Sequence, residues 1–368
     1  MKILIFSKSN WNIYNFRKGL INKLINNGYE IFIISSEDSY KNKLIELGCK
    51  IYPININNKK INPFFDFFLL FKIYNLYKKI NPSVVLHFNI KPVIYGSFVA
   101  SLLNIKHINM ITGLGTAFIS KKLIKQIVKF LYYISMKKSN LVFFQNLDDK
   151  DLFIKNKLIK NENTKLIPGS GIDLKYYDYK PYPKSDNIIF LLISRILWDK
   201  GIKEFIEAAK LLNSKYDNLT FQLLGPIEKG ISSEISLQQI KIWEDNKIIS
   251  YAGFKNDVRP YIEKSHCVVL PSYREGTPKS LLEGSSMGRP IIATNTTGCR
   301  EVINDGINGY LCENKDYISL ANTMEKFIKL SLEEKIKMGK QGRRKVEKEF
   351  DEKIVINLYL DSIKKITT

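Results

Sequence analysis

CVVLPSYREGTPKSLLEG, residues 267–284, joins a short apolar run, a glycine-containing turn and a segment with apolar residues at helical spacing. This order predicts a strand, a turn and a helix, which is the repeating unit of α/β domains with parallel sheets. Threonine is a preferred N-cap and proline a preferred first helical residue. Thr277 and Pro278 therefore predict a helix over 278–287 that stops at Gly288.

The same alternation of short β-rich runs and helical patterns continues along the chain and indicates α/β architecture throughout. Predicted strands lie near 2–6, 30–34, 50–53, 83–87, 107–111, 141–144, 188–194, 219–224, 248–251, 267–270 and 290–293. Predicted helices lie near 15–27, 38–47, 64–80, 92–103, 119–138, 202–215, 257–264, 278–287, 299–304 and 317–327.

The segment KYYDYKPYPKSDN, residues 175–187, is rich in Tyr, Pro and Lys and poor in aliphatic residues, which predicts a linker. We therefore predict two Rossmann-like domains over 1–180 and 181–368. A final helix over 351–366 would be able to pack back on the N-terminal domain. Two such domains would form a cleft, and ligands of these folds bind at the carboxyl ends of the strands.

Length and composition are those of a globular protein of two domains, with 368 residues, 45% of them hydrophobic and 25% charged. The four cysteines are scattered, without the Cys/His spacing of a zinc site or a disulfide framework. The apolar run in MKILIFSKSN is too short for a signal peptide, and no run reaches the roughly 20 apolar residues of a membrane span. We expect a cytoplasmic protein that is soluble or peripheral at a membrane.

The net charge of +21 is unevenly distributed along the chain. Residues 1–180 contain 28 Lys/Arg and 11 Asp/Glu, and residues 181–368 contain 29 and 25, so the net charges are +17 and +4. Lysine-rich composition arises from base-composition drift as well, but drift alone would affect both halves. The asymmetry therefore indicates an anionic partner for the N-terminal half.

The turn and helix of the opening segment bring together groups that suit a nucleotide sugar. Amides of Gly276, Thr277 and Lys279 near a helix N-terminus can hold an anion. Glu275 precedes the helix and Glu283 lies nearly two turns into it, so both carboxylates can accept hydrogen bonds from hydroxyls. The alternative, from these residues alone, is an ordinary capped helix with two surface glutamates.

Two cations follow the predicted strand at 188–194. Arg195 lies directly after the strand, and Lys200 lies five residues later, before Gly201 and the next helix. Cations at the mouth of the same sheet complement a pyrophosphate. Either residue alone would be an ordinary solvated loop charge.

Together, SRILWDKGIKEF (194–205), LLG (223–225) and the stretch from YAGFKND to NGYL (251–311) resemble the family-4 glycosyltransferases. The resemblance covers nearly the whole chain and is strongest over 190–312. It implies the GT-B fold, with two Rossmann-like domains whose parallel sheets face a central cleft. The N-terminal domain would bind the acceptor and the C-terminal domain the nucleotide sugar.

The resemblance also implies roles for single residues. Arg195 and Lys200 would bind the donor diphosphate and stabilise the departing nucleoside diphosphate, Glu283 would hold the ribose hydroxyls, and Glu275 would lie near the donor sugar. The catalytic residues would be Arg195, Lys200 and Glu275. The resemblance also implies retention of anomeric configuration with no bound metal or cofactor. The residues implied in donor binding are Arg195, Lys200, Glu275, Gly276, Thr277, Pro278, Lys279 and Glu283.

Three segments of the N-terminal half are candidates for the acceptor side, namely SKSNWNIYNFR (7–17), HFNIKPVIYG (87–96) and NMITGLGTAF (109–118). The GLG loop resembles the subgroup that extends bacterial lipid-linked oligosaccharides. Many family members carry a histidine near the sugar here, where this chain has Thr112 or its neighbours. The alternative for 87–96 is a histidine that caps a strand and a solvated lysine. The acceptor-side candidates are Asn15, Arg17, His87, Lys91, Thr112, Gly113 and Gly115.

The segment 119–138 predicts an amphipathic helix with lysines, among them Lys122, Lys125 and Lys129, on one face. Such a helix can lie on an anionic membrane surface. The alternative is a helix packed on the sheet with a solvated lysine face. A second membrane candidate is 64–80. The D-x-D triplet within LDDKD (147–151) is explained by acidic residues in the first turn of a helix and implies no metal.

These features predict a retaining glycosyltransferase at the cytoplasmic membrane face, using a UDP-sugar and a polyprenyl-diphosphate-linked saccharide. Resemblance to lipid-linked N-acetylgalactosaminyltransferases favours UDP-N-acetylgalactosamine. One alternative is a sugar-nucleotide 2-epimerase on the same fold, which would need histidines and carboxylates facing the sugar. The other is a nucleic-acid-binding protein, which would interleave basic and aromatic residues on one face. Here the aromatic residues fall inside apolar runs, so we expect no nucleic-acid partner.

Overall fold

The computed structural model describes residues 1–56, 63–113, 122–228, 230 and 233–368. The chain forms two compact units. The N-terminal unit is Met1–Ser170 with Lys353–Thr368, and the C-terminal unit is Gly171–Glu352. The boundary therefore precedes Gly171, whereas the sequence predicts it after residue 180.

The described part of the N-terminal unit contains a seven-stranded sheet in the order β3-β2-β1-β4-β5-β6-β7, with every pairing parallel. The order reverses between β1 and β4, the position at which ligands of doubly wound folds bind. The short edge strand β7 was not predicted. The strands are β1 (Lys2–Ser9), β2 (Glu30–Ser36), β3 (Lys50–Pro53), β4 (Val84–Phe88), β5 (Lys106–Ile111), β6 (Leu141–Phe144) and β7 (Thr164–Leu166).

Helices cover both faces of this sheet, so its central strands are buried on both sides. Alternate residues of β1 face opposite cores, as the pleat requires. Leu4 lies in the core that contains Ile73 of α3, and Ile3 in the core that contains Ile13 of α1. The helices are α1 (Asn10–Asn26), α2 (Lys41–Glu46), α3 (Pro63–Ile80), α4 (Ser97–Leu102) after a π-helical turn (Pro92–Gly96), α5 (Lys122–Met136) and α6 (Leu147–Lys155).

The described part of the C-terminal unit contains a six-stranded parallel sheet in the order β10-β9-β8-β11-β12-β13. Its strands are β8 (Ile188–Ile193), β9 (Leu219–Leu224), β10 (Ser250–Tyr251), β11 (Cys267–Leu270), β12 (Ile291–Thr294) and β13 (Gly309–Cys312). Its helices are α7 (Ile202–Asn213), α8 (Leu237–Asp245), α9 (Arg259–Lys264), α10 (Lys279–Ser286), α11 (Tyr317–Ile328) and α12 (Leu332–Glu349).

Three details of the sequence prediction for this unit are wrong. The segment 299–304, predicted as a helix, forms turns. The helix after β11 begins at Lys279, so the N-cap is Pro278 rather than Thr277, and no side chain caps it. The predicted linker is packed against the unit, because Arg343 donates to the Tyr177 carbonyl at 3.0 Å and Arg289 donates to the Pro181 carbonyl at 2.7 Å.

The last helix, α13 (Glu352–Thr367), packs on the N-terminal unit. Val355, Tyr359 and Ile363 are buried in the same core as Ile3 and Ile13. Burying three large side chains stabilises this arrangement by about 5–9 kcal/mol, at roughly 1.5–3 kcal/mol each. Among the described helices, none is long and apolar enough to cross a membrane.

Candidate active site

The loop between β8 and α7 and the loop between β11 and α10 are in direct contact at the carboxyl edge of the C-terminal sheet. Gly201 makes this possible, because its φ is 71° and a Cβ there would lie 2.0 Å from the Pro271 carbonyl oxygen. The Tyr273 amide donates to the Asp199 carbonyl at 3.1 Å. The contact places Lys200, from one loop, beside Glu275 from the other.

Lys200 and Glu275 form an ion pair with 2.6 Å between Nζ and Oε1, and their side chains are 12% and 17% exposed. The Ser272 hydroxyl donates to the same Oε1 at 2.6 Å. A carboxylate with two donors and little solvent is held in one position. The structure thus brings together two of the three residues predicted to be catalytic.

The loop after β12 supports the turn that carries Glu275. The Glu275 amide donates to the Thr297 carbonyl at 3.1 Å, and the hydroxyl of Thr294 donates to the Ser272 carbonyl. Gly298 has a φ of 91°, and a Cβ there would lie 2.0 Å from the Gly276 carbonyl oxygen. The motif from 288 to 298 therefore serves to hold the turn, and Gly276, Thr277 and Pro278 lead from it into α10.

Glu283 is buried on α10, where the Tyr177 hydroxyl donates to its Oε1 at 2.7 Å. The Lys279 ammonium lies 3.9 Å from the same oxygen. Burial raises the pKa of the Glu283 carboxyl, while Lys279 and the hydrogen bond from Tyr177 act in the opposite direction. Tyr177 was not predicted as a site residue, because it lies in the segment that composition identifies as a linker.

Arg195 does not join this group. Its guanidinium pairs with Glu228 at 3.1 Å, and its side chain is 45% exposed. Gly225 of the LLG motif lies against the start of this loop, because a Cβ there would overlap the Ser194 carbonyl. The structure therefore places Arg195 in a solvated pair beyond β8.

A second tyrosine, Tyr273, links the two loops to α7. Its hydroxyl donates to the carboxylate of Glu204 at 3.0 Å, and Glu204 is buried. Burial and the neighbouring carboxylate raise the pKa of Tyr273 to about 12. Periodicity places Glu204 on a helix but cannot show its partner, so the sequence analysis missed this contact.

In the N-terminal unit, His87 lies inside the core and is fully buried. Its Nδ1 is 2.8 Å from Oδ1 of Asn109, and its Nε2 is 2.8 Å from the hydroxyl of Tyr77. Gly96 packs over the ring, since a Cβ there would lie 2.4 Å from Nε2. The prediction that His87 contacts an acceptor is therefore corrected, because both ring nitrogens have partners and no edge of the ring is open.

Arg17 is also buried, and the structure corrects its predicted place in an acceptor loop. It lies within α1, donates to the Phe16 carbonyl at 2.8 Å and lies 4.4 Å from the Phe88 ring centroid. Burial lowers its pKa. Asn15, on the same helix, donates to the Trp11 carbonyl at 2.9 Å.

Lys91 follows β4 and forms a largely buried ion pair with Asp66 of α3, at 2.8 Å. Lys91 is therefore not simply solvated. Thr112 and Gly113 directly follow β5 at the carboxyl edge of the sheet, and Gly113 has a φ of 118°. Gly115 lies outside the described residues.

The acidic residues Asp148 and Asp149 occupy the first turn of α6, as predicted. Asn146 caps this helix by accepting from the Asp149 amide at 2.8 Å. Within the described residues, no group of three or more His, Cys, Asp or Glu is arranged to hold a metal ion.

Two family models match the chain and leave only short segments uncovered. The model for glycosyl transferases group 1 matches residues 178–345, and the glycosyl transferase 4-like model matches residues 2–146. The chain belongs to the family-4 glycosyltransferases. The loops that carry Lys200 and Glu275, and strands β1 to β6 of the N-terminal sheet, therefore lie within the matched regions of this glycosyltransferase.

Two curated relatives of this glycosyltransferase act on lipid-linked saccharides according to their names. The N,N'-diacetylbacillosaminyl-diphospho-undecaprenol alpha-1,3-N-acetylgalactosaminyltransferase of Campylobacter jejuni is 28% identical over 98% of this chain and 97% of the relative. The UDP-Gal:alpha-D-GlcNAc-diphosphoundecaprenol alpha-1,3-galactosyltransferase of Escherichia coli is 24% identical over 82% of this chain and 80% of the relative.

Solved structures show the fold of the glycosyltransferase. HepE of Anabaena in complex with UDP-glucose superposes with a TM-score of 0.81 at 16% identity, covering 99% of this chain and 100% of that one. A glycosyltransferase from Rickettsia africae gives 0.79 at 20% identity, covering 99% and 98%. With two parallel-sheet units, this likeness confirms the predicted GT-B fold.

Proposed function

We propose that this glycosyltransferase retains anomeric configuration and moves a hexose or N-acetylhexosamine from a UDP-sugar to a polyprenyl-diphosphate-linked saccharide in bacterial surface glycan synthesis, such as O-antigen, capsule or glycoprotein glycan. The observation that carries the proposal is the largely buried Lys200–Glu275 pair beside the start of α10. Support for the substrate class comes from the two relatives, both named for diphospho-undecaprenol substrates.

In the proposed reaction, the bond between the anomeric carbon and the diphosphate oxygen breaks, and its electron pair leaves with UDP. The acceptor hydroxyl bonds to the anomeric carbon on the same face, and its proton passes to the departing phosphate. Lys200 has three N–H donors, of which one contacts Glu275, so the others remain for the phosphate. Lys200 and the N-terminus of α10 stabilise the charge on the leaving group.

Glu283 is proposed to accept hydrogen bonds from the two ribose hydroxyls, with Tyr177 and Lys279 holding its carboxylate. Arg195 would have to exchange Glu228 for the donor diphosphate, which its exposure permits. The cations and helix N-terminus would meet the diphosphate without a resident metal ion. Thr112 and Gly113 remain the proposed acceptor-side residues of the N-terminal unit.

N-acetylgalactosamine is the sugar that we favour, because the Campylobacter relative named for it aligns over nearly all of both chains. UDP is favoured because the Escherichia relative is named for UDP-galactose. A lipid-linked acceptor would place the protein at the cytoplasmic face of the membrane.

Calorimetric titration with UDP, GDP and a panel of UDP-sugars tests the donor. We expect micromolar binding of UDP and of UDP-N-acetylgalactosamine, with weaker binding of GDP. A preference for GDP would overturn the donor and keep the enzyme class. No binding of any nucleotide would overturn the proposal. Transfer to a polyprenyl-diphosphate-linked saccharide, with and without a chelator, then tests the acceptor and the metal independence, and NMR of the product tests retention.

The 2-epimerase alternative has less support. That reaction would need acid–base groups facing the sugar, yet all three histidines, His87, His107 and His266, are buried. Incubation of each UDP-N-acetyl sugar without an acceptor distinguishes the two reactions, because an epimerase changes the sugar and a transferase leaves it unchanged.

A further inference from the structure

Three helices of the N-terminal unit turn large apolar side chains outward. On α3, Phe67 and Phe68 are 69% and 63% exposed. Of the six exposed phenylalanines in the part of the chain that the structure describes, five lie on these three helices. We call the whole set the aromatic face, and its members are Phe67, Phe68, Phe71, Phe98, Leu102, Ile127, Phe130, Tyr133 and Ile134.

The three helices that carry the aromatic face are neighbours. α4 contacts both α3 and α5, and all three helices cover the same side of the sheet. Their inner residues, such as Ile73, Val99 and Val128, are buried in one core. The outward residues therefore lie on the opposite surface of this helical layer.

The helix α5 shows why this surface is unusual. Its inner face buries Val128 and Tyr132 in the core. Its outer face nevertheless presents Ile127, Phe130 and Ile134 where a surface helix normally has polar residues. Of the three lysines predicted to share one face, Lys129 is half-buried and donates to Asn156 at 2.6 Å, so it is not fully solvated. Contiguous exposed apolar patches mark interaction sites.

The charge of the unit indicates what this surface meets. The N-terminal unit has 29 Lys/Arg and 10 Asp/Glu, a net charge of +19, whereas the C-terminal unit has 28 and 26, a net charge of +2. Exposed lysines follow the aromatic residues on two of the helices, namely Lys72, Lys78, Lys79, Lys137 and Lys138. Anionic lipids attract such a surface, whereas a second copy with the same charge is repelled.

We infer that the aromatic face inserts into the interface of an anionic lipid bilayer, with the adjoining lysines at the phosphate level. This inference deepens the proposed function. It rests on that function because a lipid-linked acceptor is the reason for the protein to lie near a lipid surface. Aromatic side chains suit the membrane interface, and each buried one adds to the binding. The apolar part of the binding persists at high salt, and the part due to lysine is screened.

The position of the aromatic face fits a lipid-linked acceptor. Asp66, in the first turn of α3, pairs with Lys91 just after β4. This pair holds the start of α3, and with it Phe67 and Phe68, at the carboxyl edge of the sheet. Thr112 and Gly113 lie at that same edge. Insertion of the face would bring the membrane surface to the edge where the acceptor is proposed to bind.

Flotation of the full chain with vesicles of phosphatidylcholine, with and without phosphatidylglycerol, tests the inference. We expect binding that requires phosphatidylglycerol. The triple variant Phe67→Ser/Phe68→Ser/Phe71→Ser should lower the partition coefficient by about tenfold or more. The matched control is Leu237→Ser/Ile242→Ser/Ile318→Ser, which removes exposed apolar residues of the C-terminal unit and should leave partitioning unchanged.

The variant Lys78→Gln/Lys79→Gln should bind vesicles more weakly than the native chain at low salt. At high salt, the two proteins should bind vesicles almost equally. Equal vesicle binding by the phenylalanine variant and the native chain would overturn the inference. So would a concentration-dependent dimer that the phenylalanine variant abolishes, or tighter binding to DNA than to vesicles at matched salt, with a steep salt dependence.

UDP affinity separates this inference from the proposed function. It should be the same for the native chain, the phenylalanine variant and the control, because the aromatic face is remote in sequence from the donor residues. Vesicle binding without UDP binding would refute the proposed function but support the inferred role of the aromatic face. UDP binding without vesicle binding would refute the aromatic face alone.

Discussion

Each unit has a cluster of polar side chains at its parallel sheet, and the two clusters differ in how deeply they are buried. In the C-terminal unit, Lys200 and Glu275 are charged, lie in loops beyond the strands and keep some exposure. In the N-terminal unit, Tyr77, His87 and Asn109 are uncharged hydrogen-bond partners inside the core. Helices cover residues within a central strand on both faces, while the loops after the strands are left open. The depth of burial therefore distinguishes a cluster that can contact a ligand from a cluster that stabilises the fold.

The network around His87 is extensive enough to explain its place in the core. The Asn109 amide also donates to the Ser139 hydroxyl at 2.8 Å, and the Ser97 hydroxyl donates to Asn109 at 2.8 Å. Burial lowers the pKa of His87 well below its usual range, so the ring is neutral and can act as one donor and one acceptor. A fully satisfied network of this kind specifies one packing of the core.

The largest expected effect is on the C-terminal cluster. Lys200→Ala should lower turnover about 100- to 1000-fold, because it removes a cation from the leaving diphosphate, and should leave the choice of sugar unchanged. Steady-state kinetics with the preferred UDP-sugar measure it. Lys203→Ala, on the exposed face of α7, is the matched control. Turnover of Lys200→Ala within about twofold of the native value would remove Lys200 from the reaction.

The N-terminal cluster should respond in stability. His87→Leu leaves the buried Tyr77 hydroxyl without its partner and removes one of the three partners of Asn109, at a cost of about 2–3 kcal/mol in the free energy of unfolding. Urea unfolding measures this loss, with Asn42→Leu on the exposed surface of α2 as the control. UDP affinity should be preserved. An unchanged unfolding midpoint with lost transfer would instead restore His87 to the acceptor side.

Glu283 sharpens the comparison because it is buried yet proposed to bind a ligand. Glu283→Ala should weaken UDP binding about tenfold or more, since both ribose hydroxyls lose their acceptor. Tyr177→Phe keeps the ring and removes only the hydroxyl that donates to Oε1 of Glu283, so UDP affinity should fall about two- to fivefold. Calorimetry measures both affinities. Unchanged UDP affinity in Glu283→Ala would exclude it as the ribose ligand.

The smallest expected effect is the contribution of one buried histidine to the loss of stability at acidic pH. Burial lowers the pKa of His107 to about 4, whereas the unfolded chain binds this proton below about pH 6.5. The contribution of the neutral histidine to the free energy of unfolding is therefore complete above pH 6.5. It is lost as the pH falls towards 4, by about 1.4 kcal/mol per pH unit for each such histidine. Comparing urea unfolding at pH 7 and pH 5.5, His107→Gln should lose about 1 kcal/mol less than the native chain. Equal losses in both proteins would argue against a neutral, buried His107.

Three of the elements that were not predicted have weak local signals. β7 and β13 are short edge strands of three and four residues. α12 is rich in lysine and glutamate and lacks an apolar stripe, because glycines make much of its contact. A Cβ at Gly339 would lie 2.0 Å from the Gly288 carbonyl oxygen, so this helix packs by close backbone approach. Apolar periodicity cannot detect such packing.

The sequence by itself determined the α/β class, most strands and helices, and the residues at the ends of β8 and β11. Local order is sufficient for these, because a strand, a glycine turn and a helix place Lys200 and Glu275 at one sheet edge. Only the tertiary structure decided which polar residues are buried and which apolar residues are exposed. His87 and Arg17 lie in the core, and Phe67 and Phe130 face outward. When both faces of a helix are apolar, the neighbouring elements, and not the period, decide which face is covered.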